Sequence, residues 1–156
     1  MNERSIEHAT FVVERTYDAS PARVFAAWAD PAAKGRWIGG GEEQTGEYEL
    51  DFRVGGREFS RGGAPDGEVY AYEARYQDIV PDQRIVYTYD MHRHETRISI
   101  SLATVELKPE GSGTRLIYTE QGAFLDGQDK PEYREQGTGS LLDALGAELQ
   151  RQPARA

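Results

Sequence analysis

The stretch EQGTGSLLDALGAEL, residues 135–149, decides how the rest of the chain must be arranged. Thr138, Leu141, Leu142, Leu145 and Leu149 recur at helical spacing and make one apolar stripe over about four turns. Working outward from that helix, the period drops to two. Leu116, Tyr118 and Glu120 alternate with Ile117 and Thr119, and Ile85, Tyr87, Tyr89 and Met91 share a face. So do Tyr70, Tyr72, Ala74 and Tyr76, while Tyr48, Leu50, Phe52 and Val54 alternate with Glu47, Glu49, Asp51 and Arg53. A long strand over residues 96–107 changes apolar parity between Leu102 and Val105, which predicts a bulge or strong bend. Gly55-Gly56, Pro65-Asp66-Gly67, Pro81-Asp82 and Glu110-Gly111-Ser112-Gly113 supply the turns.

Near the start, Phe11, Val13, Arg15 and Tyr17 point one way along a first strand. Ser20 then caps a short helix with Pro21 at its first position and Val24, Phe25 and Trp28 on its apolar side. A second helical turn over residues 32–37 stops at Gly39-Gly40-Gly41. The order is one strand, two short helices, six antiparallel strands and a long helix, which reads as α+β. A curved antiparallel sheet of about seven strands wrapped round the C-terminal helix is the economical way to bury one sheet face. One helix cannot fill so wide a concavity, so a cavity between helix and sheet is expected. Gly137, Gly139 and Gly146 on that helix imply either close packing on the sheet or space left beside it.

With 156 residues the chain has room for one domain, expected over residues 11–152 behind a polar arm at residues 1–10 and closed by Pro153. About two-thirds of its surface can be buried on folding, enough for a core without staples. There is no cysteine, hence no disulfide framework, thiolate metal site or cysteine nucleophile. Twenty-seven acids oppose 18 bases, for a net charge of -9, which disfavours nucleic acid and anionic membranes as partners. No signal-peptide core or membrane-length apolar run is present, so a cytoplasmic location is expected. Exposed edge strands allow a homodimer without requiring one.

The runs YDASPARVFAAWADPAAKGRW, RVGG at Arg53–Gly56, IVPDQRIVYTYD, SGTRLIYTEQGAF and EQGTGSLLDALGAEL occur in an order that resembles the START-like (SRPBCC) superfamily. Within it, they resemble the group named after the activator of the heat-shock protein 90 ATPase. The resemblance spans residues 10–150 and implies the helix-grip fold, with a cavity suited to apolar ligands. The eukaryotic co-chaperone of that group carries a separate N-terminal domain, whereas the first ten residues here form only an arm. The expectation is therefore a domain without ATPase-activator function of its own.

Three sets of residues carry candidate chemistry. His92 and His94 in a strand would share a face, as two zinc ligands must, with a third from Glu95, Asp90, His8 or a distant residue. The same segment also reads as a solvated turn, and neither a metal nor a cofactor is assigned. Nine tyrosines supply rings and hydroxyls of the kind that line small-molecule pockets, with Tyr72 and Tyr87 on the face expected to be inward. Glu73 and Glu120 are conceivable general bases if they point inward. Trp28 falls on the core stripe, while Trp37 and Phe124 are placed at a cavity mouth. The expected function is binding of a small, largely apolar ligand by Trp37, Phe52, Tyr72, Tyr87, Phe124, Leu141 and Leu145. The alternatives are a cyclase- or hydrolase-type enzyme using an inward carboxylate or tyrosine, and an interaction module for heat-shock protein 90.

Overall fold

The computed structural model describes residues 3–38, 46–63 and 67–151. The glycine breaker Gly39-Gly40-Gly41, Pro65 and Asp66 of one turn, and Pro153 lie outside the described residues. In chain order the elements are β1 (Ile6–Tyr17), α1 (Pro21–Ala29), α2 (Pro31–Ile38), β2 (Gly46–Leu50), β3 (Arg57–Gly63), β4 (Val69–Val80), β5 (Arg84–Arg93), β6 (Thr96–Glu110), β7 (Gly113–Leu125) and α3 (Pro131–Arg151). The strands form one curved, antiparallel sheet in the order β1-β7-β6-β5-β4-β3-β2. β1 and β2 are therefore the edges, and the two short helices carry the chain from one edge to the other. α3 packs against β1, α1 and α2. This is the α+β helix-grip arrangement.

Local chemistry accounts for the short helices. The Ser20 side chain accepts from the Arg23 amide at 3.3 Å, and Pro21 needs no acceptor at the first helical position. Asp30 caps α2 in the same way, its Oδ2 accepting from the Ala33 amide at 3.2 Å. The two helices bury Val24, Ala27 and Trp28, and Ala33, Lys34 and Trp37. The Trp28 and Trp37 rings meet edge to face with centroids 4.9 Å apart.

Several local expectations shift. β1 begins at Ile6, because residues 6–10 pair with Leu125 back to Gln121 on β7 and so belong to the sheet rather than to an arm. β2 ends at Leu50. Phe52 and Val54 sit in a turn in which the Gly56 amide donates to the Arg53 carbonyl and Gly55 adopts φ 84°. No register shift occurs between Leu102 and Val105. The inner face runs unbroken through Ser99, Ser101, Ala103, Val105 and Leu107, with Ile100 and Leu102 outside, so two buried serines produce the apparent change of parity. The bulges lie instead between Tyr76 and Asp78 on β4 and between Met91 and His92 on β5, where Ile98 is the extra residue opposite. α3 starts at Pro131, well before its apolar stripe.

The glycines of α3 divide between the two readings. A Cβ on Gly146 would press on the Tyr17 ring at 3.3 Å, which marks close packing, while one on Gly137 would meet nothing within 4 Å. Gly137→Ala is thus expected to stabilise the protein by up to about 1 kcal/mol through helix propensity. Gly113→Ala would drive a methyl into the Tyr17 carbonyl oxygen and should cost about 1–3 kcal/mol. Urea denaturation of both variants checks the opposite signs.

Candidate functional site

Between the sheet and the N-terminal half of α3 lies a recess of about 390 Å³. Its sheet wall is built from inward residues of β4 and β5, chiefly Tyr70, Tyr72, Tyr87, Tyr89 and Met91, with Ile98 and Tyr118 behind them. Trp28, Trp37 and Ile38 close one side, and Tyr133, Arg134, Gly137, Thr138, Leu141 and Leu142 form the helical wall. Of the residues expected to line a cavity, Trp37, Tyr72, Tyr87 and Leu141 do so. Phe52 does not: it packs on Phe25 and Tyr76 with centroids 5.5 and 5.0 Å away. Leu145 is fully enclosed in the core beneath the distal half of α3. Phe124 belongs to β7 and is buried under the Arg134 guanidinium, 5.2 Å from its ring. Trp37 is a buried wall, its Nε1 donating to the Ala27 carbonyl at 2.9 Å, so neither it nor Phe124 stands at a mouth.

Two buried ion pairs flank the recess, and three of their four charged residues went unassigned in the sequence. Lys34 and Glu58, both without exposed surface, meet at 2.7 Å. Glu58 also accepts from the hydroxyls of Tyr48 at 2.7 Å, Tyr76 at 2.8 Å and Tyr72 at 3.3 Å. The Lys34 ammonium lies within 6 Å of the ring centroids of Trp28, Trp37, Tyr76 and Tyr87. Burial pushes the Lys34 ammonium below its ordinary pKa, and the Glu58 carboxylate opposes that shift. Trp28 Nε1 alone among the described buried side-chain polar atoms finds no partner.

The second pair joins β7 to α3. Glu120 is fully buried and accepts from Ser101 and Tyr118 at 2.6 Å, from Tyr89 at 2.7 Å and from Arg134 Nη1 at 3.3 Å. Arg134 also donates to Tyr89 Oη, Ser99 Oγ and Asp129 Oδ2 at 2.9, 2.7 and 2.9 Å. Glu120 does point inward, but three donors converge on its Oε2 and Tyr118 on its Oε1, and the residue is not part of the recess lining. Glu73 faces solvent and pairs with Arg57 at 3.3 Å. The phenols of Tyr17, Tyr48, Tyr72, Tyr76, Tyr87, Tyr89 and Tyr118 are all raised above their ordinary pKa, chiefly by desolvation. They stay protonated and act as hydrogen-bonding groups rather than nucleophiles.

The histidine pair does not form as a strand motif. β5 ends at Arg93, and His94 takes φ 54° in the turn, with Nε2 2.6 Å from Glu68 Oε2. Among the described residues no group of three His, Asp or Glu side chains is placed to hold a metal ion. No helix among them is long and apolar enough to cross a membrane.

A curved antiparallel sheet gripping a C-terminal helix, with an aromatic recess between them, defines a START-like helix-grip domain. The chain belongs to the Activator of Hsp90 ATPase homolog 1-like protein family, whose sequence pattern matches residues 18–150. It is similar to a solved uncharacterised protein of Rhizobium leguminosarum, with 48% identity, TM-score 0.91, and coverage of 96% of this chain and 99% of that one. A Rhizobium loti protein is 54% identical, with TM-score 0.87 and coverage of 93% and 99%. A Chromobacterium violaceum protein is 29% identical, with TM-score 0.74 and coverage of 88% and 94%. No curated protein matches the chain.

Two predictions follow from the buried charges. Lys34→Met leaves the Glu58 carboxylate buried without its counter-charge and should cost about 3–5 kcal/mol in urea denaturation. As pH climbs through about 10, phenols ionise in the unfolded chain but not in the folded one, so stability falls from there upward. Alkaline titration monitored by tyrosine absorbance should show the five buried phenols, Tyr17, Tyr76, Tyr87, Tyr89 and Tyr118, ionising only as the protein unfolds.

Proposed function

We propose that this domain binds a small, largely apolar molecule in the recess between the sheet and α3, without ATPase-activator function of its own. The carrying observation is that the recess walls are chiefly rings and aliphatic side chains, while the two charged residues among them, Asp129 and Arg134, pair with each other. A volume of about 390 Å³ falls in the range of small-molecule sites. Burying about 200 Å² of apolar ligand surface would contribute roughly 5 kcal/mol before the costs of association. The enzyme reading has less support from its named bases, since Glu73 is a surface residue and Glu120, held by Tyr89, Ser101, Tyr118 and Arg134, does not line the recess. The net charge of -9 keeps nucleic acid and anionic membranes out of the set of partners.

Native mass spectrometry of protein purified from its own host tests the reading. A co-purifying small molecule is expected, and it should disappear in Leu141→Trp, which fills the recess. Ligand-free protein, or a mass excess that survives Leu141→Trp, would count against the recess as the site. Adding the protein to heat-shock protein 90 should leave that chaperone's ATPase rate unchanged.

A further inference from the structure

Resting on the reading of the recess as a ligand site, we propose that its preferred occupant is an organic ammonium, a protonated amine carried on an apolar body, rather than a carboxylate. The argument starts from where the phenol protons go. Tyr72 donates to Glu58, and Tyr89 and Tyr118 donate to Glu120. A phenol has a single proton, so once it is committed the oxygen can only accept. Desolvation holds these phenols in their neutral form. The Tyr72, Tyr89 and Tyr118 tips of the sheet wall are therefore biased towards accepting hydrogen bonds from a ligand.

The lining cation does not reverse that bias. Arg134 spends its terminal nitrogens on Tyr89 Oη and Glu120 through Nη1, and on Ser99 Oγ and Asp129 through Nη2. Those four N–H groups are not available for a bidentate carboxylate. Within the recess lining and its two flanking pairs, Asp129, Glu120 and Glu58 are set against Arg134 and Lys34, one negative charge in excess in that set. The walls add the rings of Trp37, Tyr72 and Tyr89, and aromatic rings attract cations and repel anions at their faces. The molecule already holds one ammonium in this way: Lys34 Nζ lies 4.9 Å from the Trp28 centroid. Two further cations lie outside the lining: Arg93, opposite Tyr70 and bonded to the neutral Gln128, offsets part of that excess, while Lys130, 5.6 Å from the Tyr133 centroid, is exposed and screened by salt.

Isothermal titration calorimetry with octylammonium, octanol and octanoate at neutral pH tests the proposal, since the three probes share one chain length and differ in head group. Octylammonium should bind about tenfold or more tightly than octanoate, with octanol between them. Asp129→Asn should narrow the ammonium-to-carboxylate ratio several-fold, and Leu141→Trp should abolish binding of all three. Octanoate binding as tightly as octylammonium, or a ratio unchanged in Asp129→Asn, would overturn the ammonium assignment while leaving the apolar site standing. No binding by any of the three up to its solubility would overturn both.

Discussion

The contact between Lys34 and Glu58 is the constraint from which much of the architecture follows. Neither side chain reaches solvent, and placing two bare charges in such an environment costs several kcal/mol each before their attraction is counted. The cost is offset by geometry: three phenols and an ammonium occupy the carboxylate, and four aromatic rings surround the ammonium. Such a site tolerates little displacement. It ties α2, on the path between the two sheet edges, to β3 and β4 at the far side of the sheet. The Trp28 and Trp37 rings that wall the recess are thereby fixed relative to Tyr72 and Tyr87.

A related device works at the other end of the recess. Glu120 gathers hydroxyls from β5, β6 and its own strand, and Arg134 carries the network into the first turns of α3. Both networks point phenol protons into a carboxylate and turn ring surface towards the space between them. An apolar recess and heavily charged surroundings are thus compatible, because the charges are consumed by one another.

How far the residues announced this depends on whether the signal was local. The alternation of Tyr70, Tyr72, Ala74 and Tyr76 and the stripe from Thr138 to Leu149 are repeated patterns, and the structure follows them. The alternation rule failed where polar residues face inward. On β3 the buried position is Glu58, while Phe59 lies outside beneath the Arg57 guanidinium at 4.7 Å, so apolar parity points the wrong way. Ser99 and Ser101 misled in the same manner on β6. Lys34, Glu58 and Arg134 come from separate parts of the sequence, and nothing in the composition of their neighbours distinguishes them from surface charges. Glu47, Glu49 and Asp51, which alternate with Tyr48, Leu50 and Phe52, are exposed, yet Glu58, Glu120 and Glu148 are buried, so the acidic residues are not wholly outside.

The recess owes its existence to unequal docking along α3. Its C-terminal half is drawn tightly to the body: the Tyr17 hydroxyl donates to the Leu142 carbonyl at 2.7 Å, Arg23 to the Leu149 carbonyl at 2.9 Å, and Arg36 pairs with Glu148 at 2.8 Å. Gly146 permits that approach by leaving room for the Tyr17 ring. The N-terminal half has no comparable apolar seat. Tyr133 is 60% exposed, Gly137 adds no side chain, and Arg134 reaches the sheet through hydrogen bonds and the stacking of its guanidinium over Phe124. A helix seated on leucines at one end and held off by an arginine at the other must leave a wedge between itself and the curved sheet. Filling that wedge with larger side chains would give a more conventional core, so the glycine and the arginine together keep it open.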